Sequence, residues 1–452
     1  MTHKTTVVLA WVGGVLLAIG TLYAALLAMS AATLNREYAA LQNEGRPMAA
    51  EAIIPPRVSD TENAAPLYRA AATRLKAEKS GDTDLFEVMG DLARDCIEGT
   101  SSPEKKAEFR QRLQDKVVAE ALIEVENASL RPRCRFDLDY SKGAAILMPH
   151  CSELRNLSRI ICGRARLQAD DGDMAGAWRS VLLSLRLANA LETEPILISQ
   201  LVRMAQLKFG TDALRYVCRT APPAGDQLPA IESALKPFDD NRPFVLSMDG
   251  ERLLLGEWAF NTLSMHQMRK AMALTDGGLS PLFLLTMFFR PAFVRDHAEY
   301  LHVVRSYAQI GARPYSPSDG NIGESLLKEV PKYCVLTRML LPALSASKVR
   351  FIGMMAQTRA TLAGLAVLRY RQTHGAYPKS LDECGQGGVM DPFTSKPLIY
   401  RVTDDGFVLY STGEDQHDDG GALPQTPKDK GKDIGWRYVA APPAQPASPT
   451  GK

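Results

Sequence analysis

Between Lys4 and Arg36 lie 31 consecutive residues without a charge. Such a stretch must be buried in protein or in lipid, and it constrains this chain more than any other feature. Its core is Thr6–Met29, TVVLAWVGGVLLAIGTLYAALLAM. As a helix it would span roughly 36 Å, enough for a hydrocarbon layer of about 30 Å with some tilt. Trp11 and Tyr23 lie toward its two ends, where amphipathic rings prefer the interface. A cleaved signal peptide is the rival reading, with Ser30-Ala31-Ala32 as a poor cleavage site. The apolar core of a signal peptide runs to about 7–15 residues, so the length favours a retained transmembrane anchor. No lipobox cysteine follows. Lys4 on one side and Arg36 and Arg46 on the other give a weak charge bias. The tail before the apolar run is too short to hold a domain. The expectation is therefore a single-pass protein of the cytoplasmic membrane, with residues 1–5 inside and the bulk of the chain periplasmic.

The 452 residues allow two or three domains, and 46% hydrophobic with 23% charged residues is an ordinary globular balance. A net charge of +2 leaves no footprint for nucleic acid. Seven cysteines include no C-x-x-C, which argues against a zinc ribbon or a thioredoxin motif. They read as small buried residues, with a Cys134–Cys151 bridge left open.

Beyond a connector at 30–58, the pattern is mainly helical through residue 345. Ser59-Asp60-Thr61-Glu62 predicts a capping box opening a helix at about 60–78. Ser102-Pro103 predicts another from there to about 128. Residues 152–193 predict a helical hairpin around Asp170-Asp171-Gly172-Asp173. Its second helix places Met174, Ala177, Val181, Ala188 and Leu191 on one face. Further helices are expected at about 195–217 and 225–236. A second apolar run at 279–294 is too short to span a membrane; it reads as core, with a surface that touches the bilayer or a partner as the alternative.

A long helix is expected at about 346–373, with Phe351, Met355, Thr358, Leu362 and Leu365 on one face. Then come Tyr377-Pro378, the turn at Asp391-Pro392-Phe393 and a β-hairpin signal around Asp404-Asp405-Gly406. An acidic loop (Glu414 to Gly421) and a short strand at Asp433–Tyr438 follow. The tail at 440–452 is Ala/Pro-rich and expected to be disordered.

The segment from Gly172 to Ala177 resembles the start of the second helix of a tetratricopeptide repeat, so the hairpin is TPR-like at most. The stretch 346–439 resembles the globular part of the major pseudopilin of type II secretion systems. The likeness rests on the long helix, Tyr377-Pro378, Asp391-Pro392-Phe393, Ile399-Tyr400-Arg401, Leu409 to Asp415 and Asp433-Ile434. It implies a small α+β module with a short antiparallel sheet, and a calcium ion in the acidic loop. Asp415 and Asp433 are the ligands carried over, with Asp418 and Asp419 behind them. It covers about a fifth of the chain. The N-terminus has no Gly-Phe-Thr-Leu-x-Glu processing site, and Ala422–Lys432 is extra. Polymerisation as a pseudopilus is therefore not expected. The whole chain looks like a group of bacterial membrane-anchored proteins in which Pro-Pro and then Asp60 to Tyr68 precede helical repeats and this module. That likeness implies no activity.

No Walker A loop, H-E-x-x-H, G-x-S-x-G or dinucleotide fingerprint is present. Ser345-Ala346-Ser347-Lys348 and Ser102-Pro103-Glu104-Lys105 match S-x-x-K without a companion K-T-G. Glu299-x-x-His302 reads as a solvated polar face. His150-Cys151 is a thiolate–imidazole pair only if the local geometry lets neighbours meet, because adjacent helical residues do not face each other. No catalytic residue is assigned. The expected function is a non-enzymatic envelope protein offering grooves to partner proteins, with a place beside a secretion or pilus-like machine by analogy of fold. The alternative is an envelope hydrolase with an unrecognised site.

Overall fold

The computed structural model describes residues 3–262, 289–340, 347–423 and 432–440. Most of the second apolar run, 279–288, lies outside them. The chain is mainly helical, with a three-stranded antiparallel sheet near its C-terminus.

Helix α1 (His3–Asn43) is one unbroken rod. Its apolar half is bare: Trp11, Leu17 and Leu22 are exposed. The helix does not stop where a connector was expected at residue 30. Residues 31–43 are rich in good helix formers and have a packing partner in α12 (Arg290–Ala312), so the helix continues. Charges weld the two together. Arg305 reaches Glu37 at 3.0 Å and Glu44 at 2.8 Å, and His302 Nδ1 lies 3.3 Å from Glu37. The face predicted to be merely solvated thus grips the end of α1. Tyr38 donates to Glu257 at 2.8 Å, and Arg46 pairs with Asp249 at 3.0 Å.

The helical body follows as α2 (Ala65–Ala77), α3 (Leu85–Glu98), α4 (Pro103–Gln114) and α5 (Lys116–Ser129). A two-residue β-hairpin, β1 (Lys79–Ser80) and β2 (Thr83–Asp84), links α2 to α3. The predicted Ser59 capping box does not form. Ser59 Oγ lies against Thr61 Oγ1 instead, and Asn63 Oδ1 accepts from the Ala65 N–H at the start of α2. Pro66 at the first turn explains the later start, since its missing N–H is no loss there. The Ser102 cap does form, accepting from the Lys105 N–H. The helix it opens breaks at Asp115 and restarts as α5.

The hairpin α6 (Pro149–Asp170) and α7 (Met174–Ala188) is as expected, and Asp173 caps α7 through the Gly176 N–H. Of the predicted face, Ala177, Val181, Ala188 and Leu191 are buried and Met174 is partly so. Gly163 lets α6 close on α3: a Cβ there would lie 3.0 Å from the Ala93 Cα. Then come α8 (Leu197–Thr220), α9 (Gln227–Leu235), α10 (Arg242–Gly250) and, after a π-helical turn, α11 (Glu257–Thr262). Helix α12 is followed by α13 (Ile322–Glu329) and α14 (Val335–Leu340).

The long helix α15 (Ser347–His374) carries the sheet β3 (Ile399–Thr403), β4 (Gly406–Ser411), β5 (Ile434–Val439), in that order. Tyr400 pairs with Leu409, and Leu409 with Trp436. Gly364 is needed where α15 meets β5, because a Cβ would come within 2.3 Å of the Trp436 ring. Phe407, Leu409, Trp436 and Tyr438 share one continuous core with residues of α7, α8, α9 and α12. Residues 347–423 and 432–439 are therefore packed onto the helical body, and the sheet closes its core.

Candidate ligand cleft and buried His–Cys–Glu cluster

The segment Arg131-Pro132-Arg133-Cys134-Arg135 follows α5 and bridges through Arg133 to Asn63. The Ala64 N–H donates to the Arg133 carbonyl at 2.8 Å, and the Arg133 N–H to the Glu62 carbonyl at 3.3 Å. Asn63 finishes the clamp, with Oδ1 accepting from the Arg135 N–H at 2.8 Å. Arg135 Nε donates to the Pro55 carbonyl at 2.9 Å. The start of α2, the Pro55-Pro56 corner and the end of α7 thereby enclose a cleft of about 650 Å³.

Its wall carries Arg131, Arg133, Arg135 and Arg186, against the single acid Glu192. Arg135 is spent on Pro55 and on Asp137 at 3.6 Å, and Arg131 reaches the Asp60 carbonyl at 3.4 Å. Arg133 and Arg186 make no ion pair or side-chain hydrogen bond among the described residues. Guanidinium groups in that state suit an anion. Sequence reading missed this site. The signal was there, three arginines at the period of an extended chain, but only folding brings Arg186 to them.

Directly behind the wall residues Glu192 and Thr193 sits a buried polar cluster. His150 and Cys151 stand in the first turn of α6, while Glu194 comes from the loop between α7 and α8. His150 Nε2 lies 3.0 and 3.1 Å from the two Glu194 oxygens and 3.7 Å from Cys151 Sγ. Adjacent residues do meet here, in the first turn of α6, with imidazole nitrogen and thiol sulfur 3.7 Å apart. Ser199 donates to Glu194 Oε1, and its Oγ lies 3.7 Å from Cys151 Sγ. Phe136 stacks on the imidazole at 4.3 Å. All four polar side chains are buried. Burial opposes the imidazolium, but the bonds to Cys151 and Glu194 outweigh it and hold the His150 pKa up at about 9. Burial also pushes the nearby Cys134 thiol well up, with help from the Glu194 charge. Cys134 and Cys151 are both free, so the bridge left open by the sequence is not made.

This cluster lacks the order of a hydrolytic relay. There a histidine uses one nitrogen for the nucleophile and the other for the acid. Here Cys151 and Glu194 share Nε2, and Nδ1 has no partner among the described residues. The S-x-x-K lysine is also taken: Lys348 Nζ is buried at 2.6 Å from Asp319, which also binds Arg313 at 2.6 Å. Ser345 lies outside the described residues.

The three aspartates of the acidic loop and Asp433, just before β5, have mostly local tasks. Asp415 accepts from the His417 N–H at 3.0 Å. Asp418 accepts from the Tyr410 hydroxyl and the Gly420 N–H, both at 2.8 Å, and pairs with Arg401 at 3.0 Å. Asp419 lies 4.0 Å from His417 Nε2. Asp433 is fully buried; Oδ2 accepts from the Gly421 N–H at 2.7 Å and Oδ1 has no partner among the described residues. Burial raises its pKa, and the charges of Asp418 and Asp419 push it up further. Among the described residues, only His150, Cys151 and Glu194 bring three His, Cys, Asp or Glu ligand atoms within 4.8 Å of one another. Asp391, from the predicted turn, is structural: it accepts from Phe393 N–H, Ser411 Oγ and Thr412 N–H, tying the turn to β4.

The chain matches no family model, no curated protein and no solved structure.

Proposed function

We propose that this is a membrane-tethered envelope protein whose folded body lies outside the cytoplasm and binds a partner through the arginine-walled cleft. One observation carries the tether: the most apolar window of α1 has none of its residues buried, although the helix is long and apolar enough to cross a membrane. A signal sequence passes the same test of length and composition. Against that rival, Ser30-Ala31-Ala32 falls in mid-helix, and the residues after it are fixed to α12, α11 and α10 by Arg305, Tyr38 and Arg46 respectively. An alkaline wash of membranes checks this. The full-length chain is expected to stay in the pellet; release into the wash, or a mature form starting near residue 33, would end the tether.

The cleft takes an anionic segment of a partner, because Arg133 and Arg186 have charge to offer and Glu192 is the only acid in the wall. Binding of a fluorescent oligo-aspartate peptide should weaken with salt and fall at least tenfold in Arg133→Glu. Equal binding by both proteins would end this reading. A place beside a secretion or pilus-like machine is a further proposal, resting on the likeness of residues 346–439 alone.

A calcium ion at the acidic loop is a second reading, favoured by the buried, unpartnered Asp433 Oδ1 close to Asp418 and Asp419. Calcium should then raise the melting temperature, EDTA should reverse this, and Asp433→Asn should abolish it. A melting temperature indifferent to calcium would remove the ion from the account.

A further inference from the structure

We infer that His150, Cys151 and Glu194 are a preformed binding site for a divalent transition metal of the zinc class. Three different donors converge: an imidazole nitrogen, a thiol sulfur and a carboxylate oxygen, all within 4.8 Å of one another. That mixture suits zinc or its neighbours, whereas calcium and magnesium want oxygen alone. The spacing fits as well. With bonds of about 2.0–2.1 Å to N and O and about 2.3 Å to S, a tetrahedral ion separates N from O by roughly 3.4 Å and N from S by roughly 3.6 Å. The distances here are 3.0–3.1 Å and 3.7 Å. Both pairs match within a few tenths of an ångström, and the sulfur and the carboxylate lie within 4.8 Å of each other.

The surroundings hold the donors in place. Ser199 orients the Glu194 carboxylate from behind, and Phe136 fixes the plane of the imidazole. The first turn of α6 supplies two donors and the α7–α8 loop the third, so a bound ion ties two otherwise separate segments. Three protein donors leave a fourth position for water. On binding, the Cys151 thiol and the His150 imidazolium each give a proton to solvent; the sulfur bonds the metal as thiolate and Nε2 bonds it as neutral imidazole. No oxidant or reductant is required. The site does not depend on the tether or on the cleft.

The test uses full-length protein in detergent, stripped with chelator and then titrated with cobalt(II) and zinc(II). Cobalt should give a thiolate-to-metal charge-transfer band at one equivalent, and zinc should raise the melting temperature. Cys151→Ser should abolish the band, and Glu194→Gln should weaken zinc binding at least tenfold. Absence of a band in the wild type, or a band undiminished in Cys151→Ser, overturns the site. Should Cys151→Ser fail to fold, X-ray absorption on zinc-loaded wild type decides. One sulfur among nitrogen and oxygen neighbours supports the site; a shell of nitrogen and oxygen alone, or of sulfur alone, refutes it.

Discussion

Helices α1 and α15 are both long and apolar enough to cross a membrane, yet their richest windows are 0% and 78% buried in the protein. The difference lies in what interrupts each apolar run. Helix α15 carries Lys348, Arg350, Arg359, Arg369 and Arg371, and presents Ala356, Ala360, Ala363 and Gly364 to its neighbours. Those small residues admit β4, β5 and the helical body to close range, and the arginines mark an edge that meets water or ion-pairs. In α1 the segment 6–29 has no charge, and every residue from Ala10 to Ala25, on all sides of the helix, is exposed. Length and apolarity alone nominate both helices; the pattern around the helix decides which solvent each was built for.

The largest effect that would break this contrast is on location. Deleting residues 1–29 should move the protein wholly from the membrane pellet to the soluble fraction and leave the thermal unfolding of the body nearly unchanged. Loss of the folded body would mean that α1 is part of the core. Next in size is a paired truncation. Trp436→Ala, under α15, should cost about 3–5 kcal/mol in chemical denaturation, whereas Leu17→Ala in α1 should cost almost nothing there. Equal costs would erase the distinction.

A half-buried carboxyl offers a third, pH-dependent measure. Burial raises the Glu251 carboxyl to about 7, opposed by the Leu197 N–H that donates to it at 3.2 Å. The neutral acid therefore favours the fold. Stability should be greatest below the ordinary pKa and decline as pH rises through about 7, by roughly 2–3 kcal/mol. Glu251→Gln should be more stable than wild type by that amount at pH 8 and equal to it at pH 4, by chemical denaturation at the two pH values. A constant difference would show that the carboxyl is solvated. The smallest effect belongs to the weld between α1 and α12. Arg305→Ala removes the contacts to Glu37 and Glu44 and should cost about 1 kcal/mol, less at high salt.

Where local chemistry decides, the sequence was readable. The apolar length of α1, the Ser102 cap, the Asp173 turn and the hairpin at Asp404-Asp405 each follow from a few neighbouring residues. The failures are where distant segments compete. Ser59 loses its capping role because Asn63 is drawn to the Arg133–Arg135 strip. Helix α1 runs on to Asn43 because α12 waits for it some 260 residues later. His150 and Cys151 were visible as neighbours, but Glu194 and Ser199 reach them only when α8 folds back on α6. The cleft was legible only in part, as an arginine-rich strip whose fourth member comes from α7.

The most direct test of the account is the side of the membrane on which each end of α1 lies. A cysteine placed at His3 and one placed at the exposed Leu147 can be probed with a membrane-impermeant maleimide in intact spheroplasts. The account predicts labelling of Leu147→Cys at once and of His3→Cys only after permeabilisation. Protection of Leu147→Cys in intact spheroplasts would contradict it.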